Sequence, residues 1–246
     1  NILVAYNDVF DSVAGIEIEN SRHAIVEHNY VHGNSGGLLA FVTPGLPIKD
    51  TVDVIFRNNF VVGNNHANFG APGSTVSGIP AGTGILVMAA DDVVIEGNVI
   101  SDNKVSGIII TDHAHANNIT VDPESDPNSD RVKILENVML NNGYDTITEA
   151  KALALADGIV SVKNLDIVRV GPSPGSCIIN RHQYFTVGVG DFPLDVAVTP
   201  DGAYALVPNV FSDSVSVIDV ATHAVVATVP ITGSQPYRVR ITGDGA

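Results

Sequence analysis

Five times along this chain a run of β-branched and aliphatic residues leads into an asparagine, and a second polar turn residue follows five positions later. Ile2-Leu3-Val4-Ala5-Tyr6 leads to Asn7 and then Ser12. Ala24-Ile25-Val26-Glu27-His28 leads to Asn29 and Asn34, and Val54-Ile55-Phe56-Arg57-Asn58 to Asn59 and Asn64. Val93-Val94-Ile95-Glu96-Gly97 leads to Asn98 and Asn103, and Val132-Lys133-Ile134-Leu135-Glu136 to Asn137 and Asn142. The first four frames each reach a Gly-apolar-x-apolar strand: Gly15-Ile16-Glu17-Ile18, Gly37-Leu38-Leu39-Ala40, Gly84-Ile85-Leu86-Val87 and Gly107-Ile108-Ile109-Ile110. A short-strand unit of this size cannot bury its own apolar face, so it must stack on its neighbours. The frame therefore predicts an all-β chain whose main part is a right-handed parallel β-helix, a solenoid. It does not specify a reaction.

Strand alternation assigns the columns of that solenoid. Every second residue points inward, so Val4, Val26, Phe56, Ile95 and Ile134 should stack in the core. Asn7, Asn29, Asn59, Asn98 and Asn137 should stack at one bend, and Asn34, Asn64, Asn103 and Asn142 at a second. Asparagine amides can bond backbone groups and each other along such a stack, so these residues read as structural ladders and not as catalysts. Glu27, Arg57 and Glu96 fall two positions before the first ladder residue and read as a weakly paired surface row. The outward positions of the Gly-apolar strands should be polar. Glu17 and Glu19 obey, but Leu39, Phe41, Leu86, Met88 and Ile109 do not. An apolar outer stripe needs a cover. The insertions at 42–53, 66–83 and 112–130 could supply it, as could Thr148–Ala156, whose composition is helical.

Asn64-Asn65-His66-Ala67-Asn68-Phe69-Gly70-Ala71-Pro72-Gly73 with Ile79-Pro80-Ala81-Gly82-Thr83-Gly84 resembles a bacterial family of parallel β-helix repeat proteins. So do Ala14-Gly15-Ile16-Glu17-Ile18-Glu19-Asn20-Ser21 and Gly36–Phe41 before Pro44-Gly45-Leu46-Pro47. The resemblance spans about residues 1–182 and implies an exported or envelope protein with no established reaction. It is more distantly similar to carbohydrate-binding, sugar-hydrolase and polysaccharide-lyase repeat domains, a likeness of fold that does not carry function.

From Phe185 the pattern changes. Asp195-Val196-Ala197-Val198-Thr199-Pro200-Asp201-Gly202, Tyr204-Ala205-Leu206-Val207, Ser214-Val215-Ser216-Val217-Ile218 and Ala224-Val225-Val226-Ala227 read as short strands. Asp244-Gly245 then repeats Asp201-Gly202 one period later. Four strands in roughly forty residues is the pattern of a propeller blade. The residues resemble surface-layer-type (YVTN-like) propeller repeats of exported proteins. The expected organisation is a β-helix domain at 1–182, incomplete at its start, and a partial β-propeller at 186–246, about one blade and the start of another. The chain begins without Met inside a strand, so it reads as a segment of a longer protein with no signal peptide in view.

The net charge of −15, with only 12 Lys and Arg, disfavours nucleic acid and anionic membrane surfaces as partners. No apolar run is long enough to span a bilayer. Cys177 is the single cysteine, which excludes an internal disulfide.

Few constellations could carry chemistry. Asp112, His113 and His115 follow a coil strand and could hold a transition metal. On a strand only His113 and His115 would share a side, so the bland reading is a polar loop. His23, His28, His32 and His66 scatter near turns without a ligand motif. Asp126, Asn128 and Asp130 have the alternate spacing of a Ca²⁺ loop's first half but lack its sixth-position Gly and twelfth-position Glu. Asp91, Asp92, Glu96 and Asp112 are the carboxylates available for a hydrolase pair. Arg57, Lys104, Arg131 and Lys133 are the coil cations available to a lyase. No nucleophile elbow, P-loop or dinucleotide loop is present. The sequence thus favours an exported or cell-envelope scaffold that binds or displays, with no required cofactor beyond an optional Ca²⁺. Its expected partners are a polysaccharide or an envelope protein, and open β edges could let it self-associate. The alternatives are a carbohydrate-active enzyme working in the groove of the solenoid, and a periplasmic metal-handling protein.

Overall fold

The computed structural model describes residues 1–116, 119, 122–146, 165–179, 187–193, 195–232 and 235–242. The chain falls into two compact units, Asn1–His182 and Gln183–Ala246.

The first unit is built of coils with three short strands each. The first coil is β1 (Ile2–Ala5), β2 (Asp8–Val9) and β3 (Ala14–Glu19). The second is β4 (Arg22–Glu27), β5 (Tyr30–His32) and β6 (Gly36–Phe41). The third is β7 (Val52–Arg57), β8 (Phe60–Val62) and β9 (Thr83–Met88), and the fourth β10 (Asp91–Glu96), β11 (Val99–Ser101) and β12 (Ser106–Thr111). Then follow β13 (Lys133–Leu135), β14 (Val138–Leu140), β15 (Ile167–Arg169) and β16 (Cys177–Ile179). Corresponding strands pair in parallel into three sheets, β1-β4-β7-β10-β13-β16, β2-β5-β8-β11-β14 and β3-β6-β9-β12-β15.

The register matches the repeat. Val4, Val26, Phe56, Ile95 and Ile134 are successive partners in the first sheet, and the last four are fully buried. They join Val31, Val61 and Ile100 of the second sheet and Leu38, Ile85 and Ile108 of the third in one continuous core.

Two asparagine ladders hold the bends. Asn29 Nδ2 donates to Asn59 Oδ1 at 3.0 Å, Asn59 Nδ2 to Asn98 Oδ1 at 3.0 Å, and Asn98 Nδ2 to Asn137 Oδ1 at 2.9 Å. Asn7 caps this column on Asn29 at 2.9 Å. The second column runs from Asn34 to Asn64, Asn103 and Asn142 at 2.9, 3.2 and 3.1 Å, and the Ser12 amide donates to Asn34 Oδ1 at 3.0 Å. From Asn29 and Asn34 onward, each ladder oxygen also takes the backbone N–H of the corresponding residue in the coil before it, which pairs that donor at the bend.

One feature of these bends was not read from the sequence. The residue before each ladder position is left-handed: Tyr6, His28, Asn58, Gly97 and Glu136 at the first bend, and Asp11, Gly33, Gly63, Asp102 and Asn141 at the second, all with φ between 51° and 64°. The sharp turn demands that conformation even where no glycine is present. A further column is steric. A Cβ on Gly37 or Gly84 would run into the carbonyl oxygen of the next glycine, and one on Gly15 would lie 2.7 Å from that of Gly37. Here strand and ladder come so close that only glycine fits, which explains the Gly-apolar-x-apolar signature.

All variation in coil length flanks the third sheet. Successive first-ladder residues are 22, 30, 39 and 39 positions apart. The extra residues enter after β6, before β9 and after β12.

The second unit contains an antiparallel sheet of β17 (Ala197–Val198), β18 (Tyr204–Asn209), β19 (Ser214–Asp219) and β20 (Ala224–Pro230), in chain order. Its turns are held by Asp201, which accepts from the Ala203 amide and the Thr199 hydroxyl, and by Asp219, which accepts from the Thr222 amide. These bonds hold both carboxyls below their ordinary range. Asp244 and Gly245, the expected restart of the repeat, lie outside the described residues.

Candidate apolar binding site on the third sheet

The length-variable insertions meet over the outer face of the third sheet. Leu39 and Phe41 on β6, Leu86 and Met88 on β9, and Ile109 on β12 point outward there. They pack with Val76 and Ile79 from the 66–83 insertion and with Ala116 and Ile119 from the 112–130 insertion. Two of the expected covers are therefore in place. The 42–53 insertion braces them instead of packing on the stripe. The Thr43 hydroxyl meets that of Thr75 at 2.9 Å, and Asp122 accepts from the Gly45 amide at 2.9 Å and from Lys49 Nζ at 2.8 Å. The expected helical cover, Thr148–Ala156, lies outside the described residues.

Among the described residues the cover is incomplete. Between sheet and insertions is a cavity of about 360 Å³, floored by Leu39, Leu86, Met88 and Ile109 and walled by Val76 and His115. Asn68 builds one wall, because its Nδ2 donates to the carbonyls of Val76 and Ile79, both at 2.9 Å, and its Oδ1 takes the Gly70 amide at 2.8 Å. The sequence carried Asn68 only as part of a family-like string.

The other wall holds a built polar pair. Residues His113–His115 form a 3₁₀ turn capped by Asp112. Asp112 Oδ1 accepts from the His115 amide at 2.9 Å and lies 2.7 Å from His115 Nδ1. A carboxylate only accepts, so Nδ1 carries a hydrogen, and in the neutral ring Nε2 carries the lone pair. The Asp112 side chain is only 4% exposed, whereas that of His115 is 47% exposed. Gly171 makes room for the pair, because a Cβ there would collide with Asp112 Oδ2.

This corrects the expectation that His113 and His115 share a side. The 3₁₀ turn breaks strand alternation, so His113 is buried with Nε2 2.9 Å from the Val42 carbonyl, while Asp112 and His115 come together. Among the described residues no group of three or more His, Cys, Asp or Glu side chains is arranged to hold a metal ion. The scattered histidines serve local contacts. His23 pairs with Asp53 at 2.7 Å, His28 stacks on Tyr6, His32 stacks on Phe10 and Tyr30, and His66 meets Phe69 edge-on.

Of the sequence-predicted Ca²⁺ residues, Asp126 is used within its own loop, whereas Asp130 is tied through its backbone to the preceding coil and its Oδ1 is buried without a hydrogen-bond partner among the described residues. Asp126 Oδ1 accepts from the Asn128 amide at 3.0 Å, and the Asp130 amide donates to Asp91 Oδ1 at 2.9 Å. The carboxylates considered for hydrolysis are largely engaged. Arg131 Nε reaches Asp92 Oδ1 at 2.8 Å and its Nη2 reaches Asp91 Oδ2 at 3.2 Å. Asp92 is held low by this guanidinium. Asp91 is pushed up by burial, against the pull of the Asp130 amide and Arg131, with Asp130 and Asp126 adding repulsion. In the first-sheet row, Arg57 Nε contacts Glu27 Oε2 at 2.7 Å.

The family described as the right-handed β-helix region matches residues 1–165. The chain belongs to this right-handed β-helix family. No curated protein matches the sequence. Among solved structures, the β-helix is similar to a double mutant of the periplasmic alginate epimerase AlgG. The identity is 18%, with 71% of this chain and 36% of that chain covered and a TM-score of 0.37. The chain thus spans little more than a third of that protein's length, and a resemblance this distant carries nothing about the reaction. No described helix is long and apolar enough to cross a membrane.

Proposed function

We propose that this β-helix is a non-catalytic scaffold of an exported or envelope protein, and that it binds its ligand without transforming it. The observation that carries the reading is the floor of the third-sheet cavity, which is made of Leu39, Leu86, Met88 and Ile109 and not of opposed carboxylates. Apolar walls with one or two placed polar groups suit binding, whereas sugar hydrolysis wants two carboxyls across a groove. On the second sheet, Tyr30 and Phe60 are register partners and both are exposed. Exposed aromatic faces can stack on sugar rings, which supports a polysaccharide as one partner and leaves an envelope protein as the other. We read 186–246 as one blade of a surface-layer-type propeller and the start of the next, a reading with which the antiparallel meander β17–β20 agrees for the one blade. This function requires no cofactor, and Asp126, Asn128 and Asp130 are the oxygen donors at which Ca²⁺ would be sought by calorimetry.

A second reading, a carbohydrate-active enzyme, is favoured by one observation: Asp91 has a raised pKa beside Asp130 and Asp126, as a proton donor would need. The deciding experiment offers the folded protein a panel of neutral and uronate polysaccharides, with and without Ca²⁺. Reducing ends and the ultraviolet absorbance of unsaturated products are followed. The scaffold reading expects no product. Turnover that disappears in Asp91→Asn would replace it with the enzyme reading.

A further inference from the structure

The chemistry of the third-sheet cavity narrows what it can hold. Its volume, about 360 Å³, lies at the small end of the roughly 300–1,000 Å³ typical of ligand sites. Its floor is apolar at Leu39, Leu86, Met88 and Ile109, with the Thr111 hydroxyl beside Met88. His115 on the wall has Nδ1 committed to Asp112, so Nε2 can only accept a hydrogen while the ring is neutral. Gly171, left-handed at φ 87°, leaves the space that Asp112 occupies, so the pair is part of the packing and not a chance surface contact.

Charge decides between possible head groups. The Asp112 carboxylate is almost fully buried beside the imidazole, and the chain as a whole carries a net charge of −15. A ligand anion at His115 would lie one imidazole ring away from that carboxylate in an apolar surrounding, where like charges still repel. A ligand cation would lose its hydration against the apolar floor. A neutral hydroxyl loses least and supplies the hydrogen that Nε2 lacks.

We propose that the cavity is a binding site for a small, neutral, mostly apolar molecule bearing one hydroxyl, an aromatic or aliphatic alcohol whose O–H donates to His115 Nε2. This rests on the scaffold reading, because it assigns binding and no turnover to the site.

The test uses three probes of one skeleton, 2-naphthol, 2-methylnaphthalene and 2-naphthoate, titrated into the full chain by calorimetry or by naphthalene fluorescence. The chain has no tryptophan to interfere. One net hydrogen bond should make 2-naphthol bind up to about tenfold tighter than 2-methylnaphthalene, with 2-naphthoate weakest. In His115→Phe the preference should vanish while 2-methylnaphthalene binds as before. In Gly171→Ala, which displaces Asp112 and frees Nδ1, the preference should shrink. Val76→Trp, a change in the cover and not in the core, should fill the cavity and weaken all three probes. Equal affinities for the three, a naphthoate preference, or a hydroxyl preference that survives His115→Phe would overturn the assignment of the hydroxyl. No binding by any probe, or binding unaffected by Val76→Trp, would overturn the site itself. Turnover in the polysaccharide panel would instead remove the scaffold reading, so the two failures are distinguishable.

Discussion

At the scale of single residues, the ladder asparagines are the most heavily committed side chains of the β-helix. Asn98 Nδ2 donates to the Phe56 carbonyl and to Asn137, while its Oδ1 accepts both the backbone and the side-chain N–H of Asn59. Asn98→Ala would leave several of these buried groups unpaired at about 1–3 kcal/mol each. We expect a loss of at least about 3 kcal/mol, read from urea unfolding. Asp91 behaves in the opposite sense. Its pKa is raised on folding, so the folded state binds its proton more tightly than the unfolded state. The group favours folding while protonated, below its unfolded pKa, and that contribution is lost as pH rises through the folded value. Asp91→Asn should therefore raise the melting temperature at pH 7, and the gain should shrink as the pH falls through the raised native value and the carboxyl takes up its own proton. A loss of stability at pH 7 would mean that the ion pair with Arg131 outweighs burial. The ladders were legible in the sequence because their partners recur at fixed offsets. The left-handed positions before them were not, since Tyr6, His28, Asn58, Gly97 and Glu136 share a backbone conformation but no side-chain chemistry. His113 was misread because alternation holds only on a strand, and the chain turns into a 3₁₀ helix at that point.

At the scale of elements, the third sheet differs from the other two because its outward apolar residues are buried as a second cluster, whereas Leu3 on the first sheet and Tyr30 and Phe60 on the second stay exposed. The floor of the cavity could be read from Leu39, Phe41, Leu86 and Met88, which break the polar-out rule. The walls could not, because nothing local in the sequence says that the 66–83 and 112–130 insertions fold back over the same strands. Two predictions follow from this placement. In the glycine column, Gly84→Ala must push a methyl into the Gly107 carbonyl, beside Asn103 and Ile100. Overpacking of this kind typically costs about 1–3 kcal/mol, measurable as a lowered melting temperature. The cover should be dispensable for folding. Replacing 65–82 by one serine, as in the direct link Asn34-Ser35-Gly36, should leave the strand circular dichroism intact. It should also bare Leu39 and Leu86, so the variant should bind a hydrophobic dye and self-associate. Loss of cooperative unfolding would show instead that the insertion belongs to the core.

At the scale of the whole molecule, the two units differ in kind: parallel coils with a stacked core in the first, an antiparallel meander in the second. They share no repeat register, so truncation before Gly188 should leave a β-helix that melts cooperatively near its original temperature, followed by circular dichroism. Collapse of the entire fold on that truncation would mean that the second unit is needed to complete the first. The restriction of length changes to the borders of the third sheet has a further meaning for how such a chain can change over time. The two ladders keep a constant cadence within each coil, five residues from one bend to the next, whatever the length of the coil. The segments that enclose the cavity lengthen the coil without disturbing that cadence. Mutation, insertion or exchange in those segments can therefore rewrite what the cavity admits while the backbone beneath keeps its pitch. Such novelty would fall on one face of the β-helix, and the other two sheets would serve as a frame that selection can leave alone.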